Sequence, residues 1–494
     1  MRQGPLAGRY RIAAAMVIFA LVPYLALSAA LQPLTPIIAH GLHMSLQTMS
    51  LATGMANAGY AVGTVLAVAL AQHLPQRRMM VVYAGLLVLG SILSAAAQNP
   101  GMFIAGHVLQ GLCTSLLLIA AVPPLALGFG TSKLRETAMI MNLCIFGAVA
   151  LGPTIGGIQA NAHGWRPLFF VVAAISVAAL VLSGLTFEDA PPADRSAPWG
   201  LAAIGLAAAG SAAAFYGASE LLTHRFLDAV TIGPLLGGLA LIVVLVVYQS
   251  SATRPLLTIR SMVRSTMPVA GILVALFAAA ASVSASALTA SLLAGRYDAL
   301  HVGLLYLPEL AGAVLTAFAL GVVIDRRSMH YLPLVGMAFL AAGIAVFRIE
   351  LPPTQGLTLV GSGLTGIGLG ATVAPALFVA GFSLPAANLQ RVFAIVELFR
   401  AVAAFMIAPV FAHFAVTVGG NPRAGTGIAL WIGLGLAIGG AVIAVVLYAM
   451  GGARPQTPDL VRFMAGEAPA WYSPPLLAGI RKRSGAPTLA EEPA

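Results

Sequence analysis

The chain has 494 residues, 60% hydrophobic and only 8% charged, and its mean hydropathy of +0.96 excludes an ordinary soluble domain, in which about a quarter of residues carry charge. A formal charge of +10 raises the question of nucleic acid, but no basic face with interleaved aromatics accompanies it, and no nucleic-acid partner is expected. The two cysteines, Cys113 and Cys144, lie inside apolar runs and supply neither a disulfide framework nor a metal site, so no cofactor is implied.

The apolar residues come in blocks of about 20, the length a helix needs to cross about 30 Å of hydrocarbon. The first block, residues 12–38, follows a short N-terminus, 1–11, that carries Arg2, Arg9 and Arg11. It is longer than a signal-peptide core and runs on into Pro33 and Pro36, so it reads as a retained span and not a cleaved signal. Further spans are predicted at 46–72, 79–98, 102–130, 137–161 and 167–187, which completes an N-terminal six-helix bundle over 12–187. Residues 188–197 hold Pro191 and Pro192 among acidic and basic side chains and read as a linker. Two additional spans, 198–218 and 229–249, occupy 198–249, and a basic linker, 250–266, follows with Arg254, Arg260 and Arg264. A second set of six, at 267–294, 302–324, 331–348, 356–381, 391–416 and 427–450, makes a C-terminal bundle over 267–450. The tail, 451–494, is polar and rich in Pro and Gly, cannot bury enough apolar area to fold alone, and reads as solvated; its Arg481-Lys482-Arg483 could meet anionic lipid.

Fourteen spans put both termini on one side of the membrane. With that side cytoplasmic, only Arg166, Arg225, Arg296, Arg348 and Arg423 fall outside and Arg400 falls within a span, which leaves 19 of the 25 basic residues facing inward, as the positive-inside rule requires. The expectation is an all-α, multi-pass inner-membrane protein with both termini cytoplasmic.

Several motifs sharpen this. In span four, Leu109-Gln110-Gly111 follows His107; in span five, Gly152-Pro153-Thr154-Ile155-Gly156-Gly157 precedes the turn Gly164-Trp165-Arg166. Glycines let helices approach closely, and a proline interrupts the hydrogen-bond ladder, so this pattern suits a packed, bendable gate. Span ten ends in Gly321, Asp325 and Arg326, whereas the corresponding end of span two reads Gln72-His73-Leu74-Pro75-Gln76-Arg77-Arg78, with Gln72 where an acid would stand. Gly63-Thr64-Val65-Leu66 is echoed by Gly312-Ala313-Val314-Leu315, an internal repeat.

These residues resemble the major facilitator superfamily: the fourth-helix motif, with His107 in place of its arginine, the Gly-Pro-x-x-Gly-Gly antiporter motif, and the Gly-x-x-x-Asp-Arg loop motif. Gly363 to Gly370, Pro375 and Glu397-Leu398-Phe399-Arg400 are similar to the closing helices of its fourteen-span drug:proton antiporter branch, the EmrB/QacA type, and the likeness covers about residues 12 to 450. The resemblance implies two six-helix bundles with two additional central helices, proton-linked export by alternating access, Arg400 facing a central cavity, and in some relatives a periplasmic adaptor protein. One departure stands out: the branch carries a first-span aspartate, but Leu27 to Pro36 contains no acid.

A charge in hydrocarbon costs at least about 2.5–3.5 kcal/mol, which makes each ionisable group inside a span a functional candidate. Glu309, after Pro308 in span ten, either holds a proton or meets a cationic substrate, or else is a neutral carboxyl bonded to a neighbouring helix. Glu397 and Arg400 stand three residues apart on one face of span thirteen and can pair. His107 is a proton-coupling candidate or a satisfied core ring. Gln32, Asn57, Tyr60, Gln110 and Asn142 are candidate cavity lining, and Ser282 to Ser291 add hydroxyls in span nine that serve equally as interhelical bonds. No nucleophile–base pair, metal cluster or nucleotide-binding loop is present, so the chain does not read as an enzyme or a nucleotide-driven pump. The leading reading is a proton-coupled exporter of a lipophilic small molecule. An importer or uniporter of the same superfamily and a transport-inactive scaffold or sensor remain the alternatives.

Overall fold

The computed structural model describes residues 5–187, 192 and 194–483. Arg2, residues 188–191 and 193 of the linker and the tail end, 484–494, lie outside the described residues. Among the described residues, fourteen helices are long and apolar enough to cross a membrane, at Tyr10–Gly41, Leu46–His73, Gln76–Ala95, Pro100–Leu127, Thr131–Asn161, Arg166–Thr186, Leu201–Leu222, Ala229–Ser251, Thr266–Leu293, Ala299–Val323, Arg327–Ile349, Gln355–Phe382, Ala386–Thr417 and Pro422–Gly451. They are numbered span one to span fourteen below. Each expected span is found, most of them a few residues longer, because polar residues at their ends still make helical turns.

Consecutive spans alternate in direction, so both described chain ends lie on one face of the bundle, called here the terminal face. On the opposite face, helix starts recur with the same device in both halves. Ser45, Asn99, Asp298, Thr354 and Asn421 each precede a span and accept a bond from a backbone amide three residues on. Two spans are broken. Span five contains a π-helical turn, Leu143–Gly147, and span ten stops at Leu305 and restarts at Pro308, whose missing N–H interrupts the ladder. Such interruptions are tolerated in hydrocarbon where neighbouring helices cover the freed backbone groups.

Spans one to six and nine to fourteen form two helical sets that meet along two seams, span five on span ten and span two on span thirteen. Spans seven and eight pack on each other, and span seven packs on span two. The tip of their hairpin touches both sets: Gln47 of span two donates to Glu220 Oε2 at 2.8 Å, and His413 Nδ1 of span thirteen lies 2.8 Å from Leu221 O.

Packing differs along the spans. On the terminal half, every residue of 113–123, 368–384 and 392–398 is buried. Further out, Asn57, Phe405 and Ile407 to Val410 are partly exposed and Gln32 is exposed. The conformation is closed on the terminal face.

The tail differs from its solvated expectation. Phe463 and Trp471 are buried, Trp471 Nε1 donates to Ser383 Oγ at 2.8 Å, and the Trp471 ring lies 4.5 Å from His330 and 5.7 Å from Phe382. Backbone bonds Thr266 N to Pro474 O (2.9 Å) and Ala470 N to Phe382 O (2.9 Å) tie it under the second set of helices. The short helix Leu460–Met464 reaches the start of span five. A few apolar side chains in a polar segment, Leu460, Phe463 and Trp471 among them, suffice once a preformed surface receives them.

Candidate functional site

The seam between spans five and ten is made of backbone. A Cβ on Gly157 would lie 2.5 Å from Ala299 O, and one on Gly303 would lie 2.5 Å from Pro153 O. Thr154 Oγ1 donates to Gly303 O at 2.9 Å, and Asn161 donates to Asp298 at 2.9 Å on the opposite face. The glycine motif divides its work: Gly157 faces span ten, whereas Gly152 and Gly156 face span one, where a Cβ would lie 2.2 Å from the Ala29 side chain and 2.5 Å from Ala30 O respectively. At the terminal face Gly321 abuts Met139, and Asp325 forms an ion pair with Arg135 of span five. Asp325 and Arg326 thus sit at the outlet of this seam, the acid engaged across it.

The seam between spans two and thirteen is built from charge. Arg400 donates from Nε (2.9 Å) and Nη2 (2.6 Å) to Glu397 Oε2, so the pair anticipated from their spacing forms within one helix face. Tyr60 crosses from span two to the same oxygen at 3.1 Å, and Arg400 Nη2 reaches Tyr60 Oη at 3.3 Å. The guanidinium also lies 6.0 Å from the Phe405 and Tyr60 ring centroids, within cation–π range. Glu397 is 1% exposed and Arg400 7%, yet Glu397 Oε1 is buried without a partner. Desolvating two charges costs several kcal/mol each, and only this dense bonding offsets it.

Glu309 stands in the first turn of the restarted helix of span ten, 9% exposed, where the helix dipole favours a negative charge. Its backbone presses on span twelve, since a Cβ on Gly366 would lie 2.3 Å from Glu309 O. No hydrogen bond reaches its carboxyl among the described residues, so the interhelical bond anticipated as an alternative is not made here. Nearby, Tyr306 and Thr289 share a 2.5 Å hydroxyl contact between spans ten and nine.

The remaining candidates separate. His107 Nδ1 lies 3.2 Å from Gln110 Oε1, and its ring packs between Tyr24 and Phe103, each at 5.7 Å. Gln110 donates to Ser91 (3.0 Å) and accepts from Ser94 (3.3 Å). Gln110 therefore fills the interface of spans three and four, the His107 ring packs on span one, and neither faces a seam. Asn142, at the edge of the π turn, donates to Gly370 O of span twelve at 3.1 Å and leaves its Oδ1 buried and unpartnered. Ser282 and Ser284 donate to carbonyls of their own helix. Among the described residues no group of three His, Cys, Asp or Glu could hold a metal. A surface cavity of about 500 Å³, lined by Arg296, Pro352 and Arg423 among others, opens on the opposite face away from both seams.

Sequence reasoning missed Arg135, the π turn and the hairpin tip. Arg135 looked like one of many loop cations, and nothing in Leu143–Gly147 signals a wider turn.

Two helical sets joined along two seams, with charge buried in one, define a polytopic secondary transporter. The chain belongs to the major facilitator superfamily, whose description matches residues 16–307, more than half its length. Relatives named for drug resistance and efflux are among the proteins it is similar to. A multidrug resistance protein B homolog of Mycobacterium tuberculosis (strain ATCC 25618 / H37Rv) is 26% identical over 334 residues, 66% of this chain and 60% of that protein. The drug efflux pump JefA of the same strain is 25% identical over 338 residues, 64% of each. The chain thus spans about three fifths of the curated relatives it matches. The fold is shared with the human organic anion transporter MFSD10 (TM-score 0.59, 14% identity, 88% of this chain and 99% of that one). It is shared too with the proton:xylose symporter XylE (TM-score 0.62, 13% identity, 88% and 95%).

Proposed function

We propose that this transporter exports a lipophilic small molecule in exchange for protons, by alternating access, from a cell inner membrane with both termini cytoplasmic. The observation that carries the reading is that both carboxyls deep in the spans have an oxygen without a partner in a conformation closed on the terminal face: Glu309 altogether, Glu397 at Oε1. A carboxyl whose exposure to water changes between two conformations takes up a proton in one and releases it in the other. Glu309 is the leading proton carrier, because Glu397 is committed to Arg400 and Tyr60; His107, bonded to Gln110 inside the first helical set, is the weaker candidate.

Arg400, Tyr60, Asn57, Asn142 and Gln32 are the polar groups assigned to the substrate path, and Gly152, Pro153, Gly156 and Gly157 to the gate. Low polar content in the surrounding walls suits loose, apolar recognition. The relatives named for multidrug resistance and drug efflux support a drug-like substrate. The arginine excess on the terminal face supports its cytoplasmic placement. An adaptor protein remains part of the proposal only for cells with an outer membrane.

The test is a panel of fluorescent lipophilic dyes in inverted vesicles, with an internal pH probe. Dye uptake should raise the pH inside the vesicle, stop when the proton gradient is collapsed, and lose its pH dependence in Glu309→Gln. Uptake against a dye gradient after full dissipation would refute coupling. Purely downhill flux without proton movement would favour a uniporter, the reading that the missing first-span acid supports.

A further inference from the structure

Span five meets the second helical set through four polar side chains, two on each side of its π turn. Toward the terminal face, Arg135 pairs with Asp325 of span ten, and Asn142 Nδ2 donates to Gly370 O of span twelve at 3.1 Å. Toward the opposite face, Thr154 Oγ1 donates to Gly303 O at 2.9 Å and Asn161 Nδ2 donates to Asp298 at 2.9 Å. Arg135 and Asn142 are seven residues apart, as are Thr154 and Asn161, so the members of each pair lie within about 20° of one another on an α-helix. From Asn142 to Thr154 is twelve positions, and at about 100° per residue a continuous α-helix would set the two pairs about 120° apart. Eleven positions would bring them within about 20°. The surplus residue is taken up by the π turn Leu143–Gly147, because a π turn bonds i to i+5 where an α turn bonds i to i+4.

We infer that the π turn is the register device of this seam: it lets both halves of span five engage the second helical set at once, and its relaxation to α-helix turns one half about 100° away, which releases the bonds at one face while those at the other hold. In the structure the turn is present and both ends are engaged, as this requires. Asn142 ties the edge of the turn to span twelve, yet its Oδ1 stays buried without a partner. A buried acceptor left unpaired weighs against the arrangement that leaves it so, and the turn is poised to relax. It also lies beside the proposed proton carrier, since a Cβ on Gly147 would be 3.5 Å from the side chain of Leu310, the chain neighbour of Glu309.

The opening step rests on the alternating-access reading; the register does not. Deleting Leu143, whose side chain is exposed, leaves eleven positions between Asn142 and Thr154, so a plain α-helix should hold both pairs in phase with no turn to relax. Spin labels on Ser132→Cys with Arg327→Cys, and on Ala162→Cys with Gly295→Cys, report the terminal and opposite ends of the seam in the purified full chain. All four sites are exposed, and both native cysteines are buried. Leu143→Ala, which keeps the residue count, is the reference. With dye supplied, the reference should show a second, longer distance at one end, and its dye flux in vesicles should exceed that of the deletion by about ten-fold or more. The deletion should fold as the reference does and keep the short distance at both ends. A deletion that misfolds or separates either end overturns the register, and one that transports at the reference rate overturns the opening step. If the reference never shows the longer distance, the alternating-access reading fails and takes the opening step with it, while the register is still decided by the distances in the deletion.

Discussion

The seam of spans five and ten and the seam of spans two and thirteen join the same two helical sets by opposite means. In the first, Gly157 and Gly303 remove side chains so that backbone meets backbone, and much of the attraction is dispersion, of which a gap of about 0.5–1 Å forfeits a quarter to a half. In the second, Arg400, Glu397 and Tyr60 place charge and a phenol between the helices. Such contacts act over longer distances and are costly to leave half-made. A seam of glycines tolerates rolling and punishes bulk. A charged seam tolerates bulk at its rim and punishes loss of a partner.

The largest effect is therefore expected from Arg400→Met, which strands Glu397 in a buried place and should destabilise the folded protein by about 3–5 kcal/mol in detergent unfolding. Adding Glu397→Gln should recover most of that loss, because the stranded charge is gone; no recovery would mean that packing and not charge holds this seam.

A contact outside both seams is the tail, which runs from beneath the second helical set to span five. Trp471→Ala should cost about 3 kcal/mol if the tail stays docked and less if it detaches, with protease sensitivity of 453–483 rising in either case. Unchanged sensitivity would show that the Ser383 bond and the aromatic packing do not hold it.

Gly157→Leu forces a side chain into the Ala299 backbone, and an overpacking cost of about 1–3 kcal/mol should leave the protein inserted but unable to transport. Gly156→Leu should do the same against span one, through Ala30. Wild-type flux in either would mean that the glycine seam is not part of the moving gate.

The smallest effect concerns Asp298, whose carboxyl is held below the usual range, chiefly by the Asn161 amide. Because the folded value is the lower one, its contribution is present above the unfolded value near 4 and is lost as pH falls through the folded value. Asp298→Asn should therefore melt slightly below wild type at pH 7, and the two should converge as pH falls through the folded value. A difference that persists in acid would assign the contact to something other than the ionised carboxylate.

The span count and the boundaries of most helices were legible because hydrocarbon imposes a length and a composition on each crossing, a local constraint that a single strand of sequence carries. The i, i+3 spacing likewise announced the Glu397 and Arg400 pair, since both partners lie on one helix. What joined them to Tyr60 was decided only in three dimensions, for those residues are separated by 337 and 340 positions. Gln110 matched a motif in which His107 replaces the arginine, but which neighbour a helix face meets depends on rotation of the whole span; Gln110 met span three and His107 met span one. The tail looked unable to fold because its own apolar area is small. Its fate was set by a groove at Phe382, Ser383 and His330 that no property of residues 453–483 reveals. Local chemistry determined the elements here, while partner choice among them followed from tertiary packing, because burial is a property of two surfaces and sequence shows one at a time.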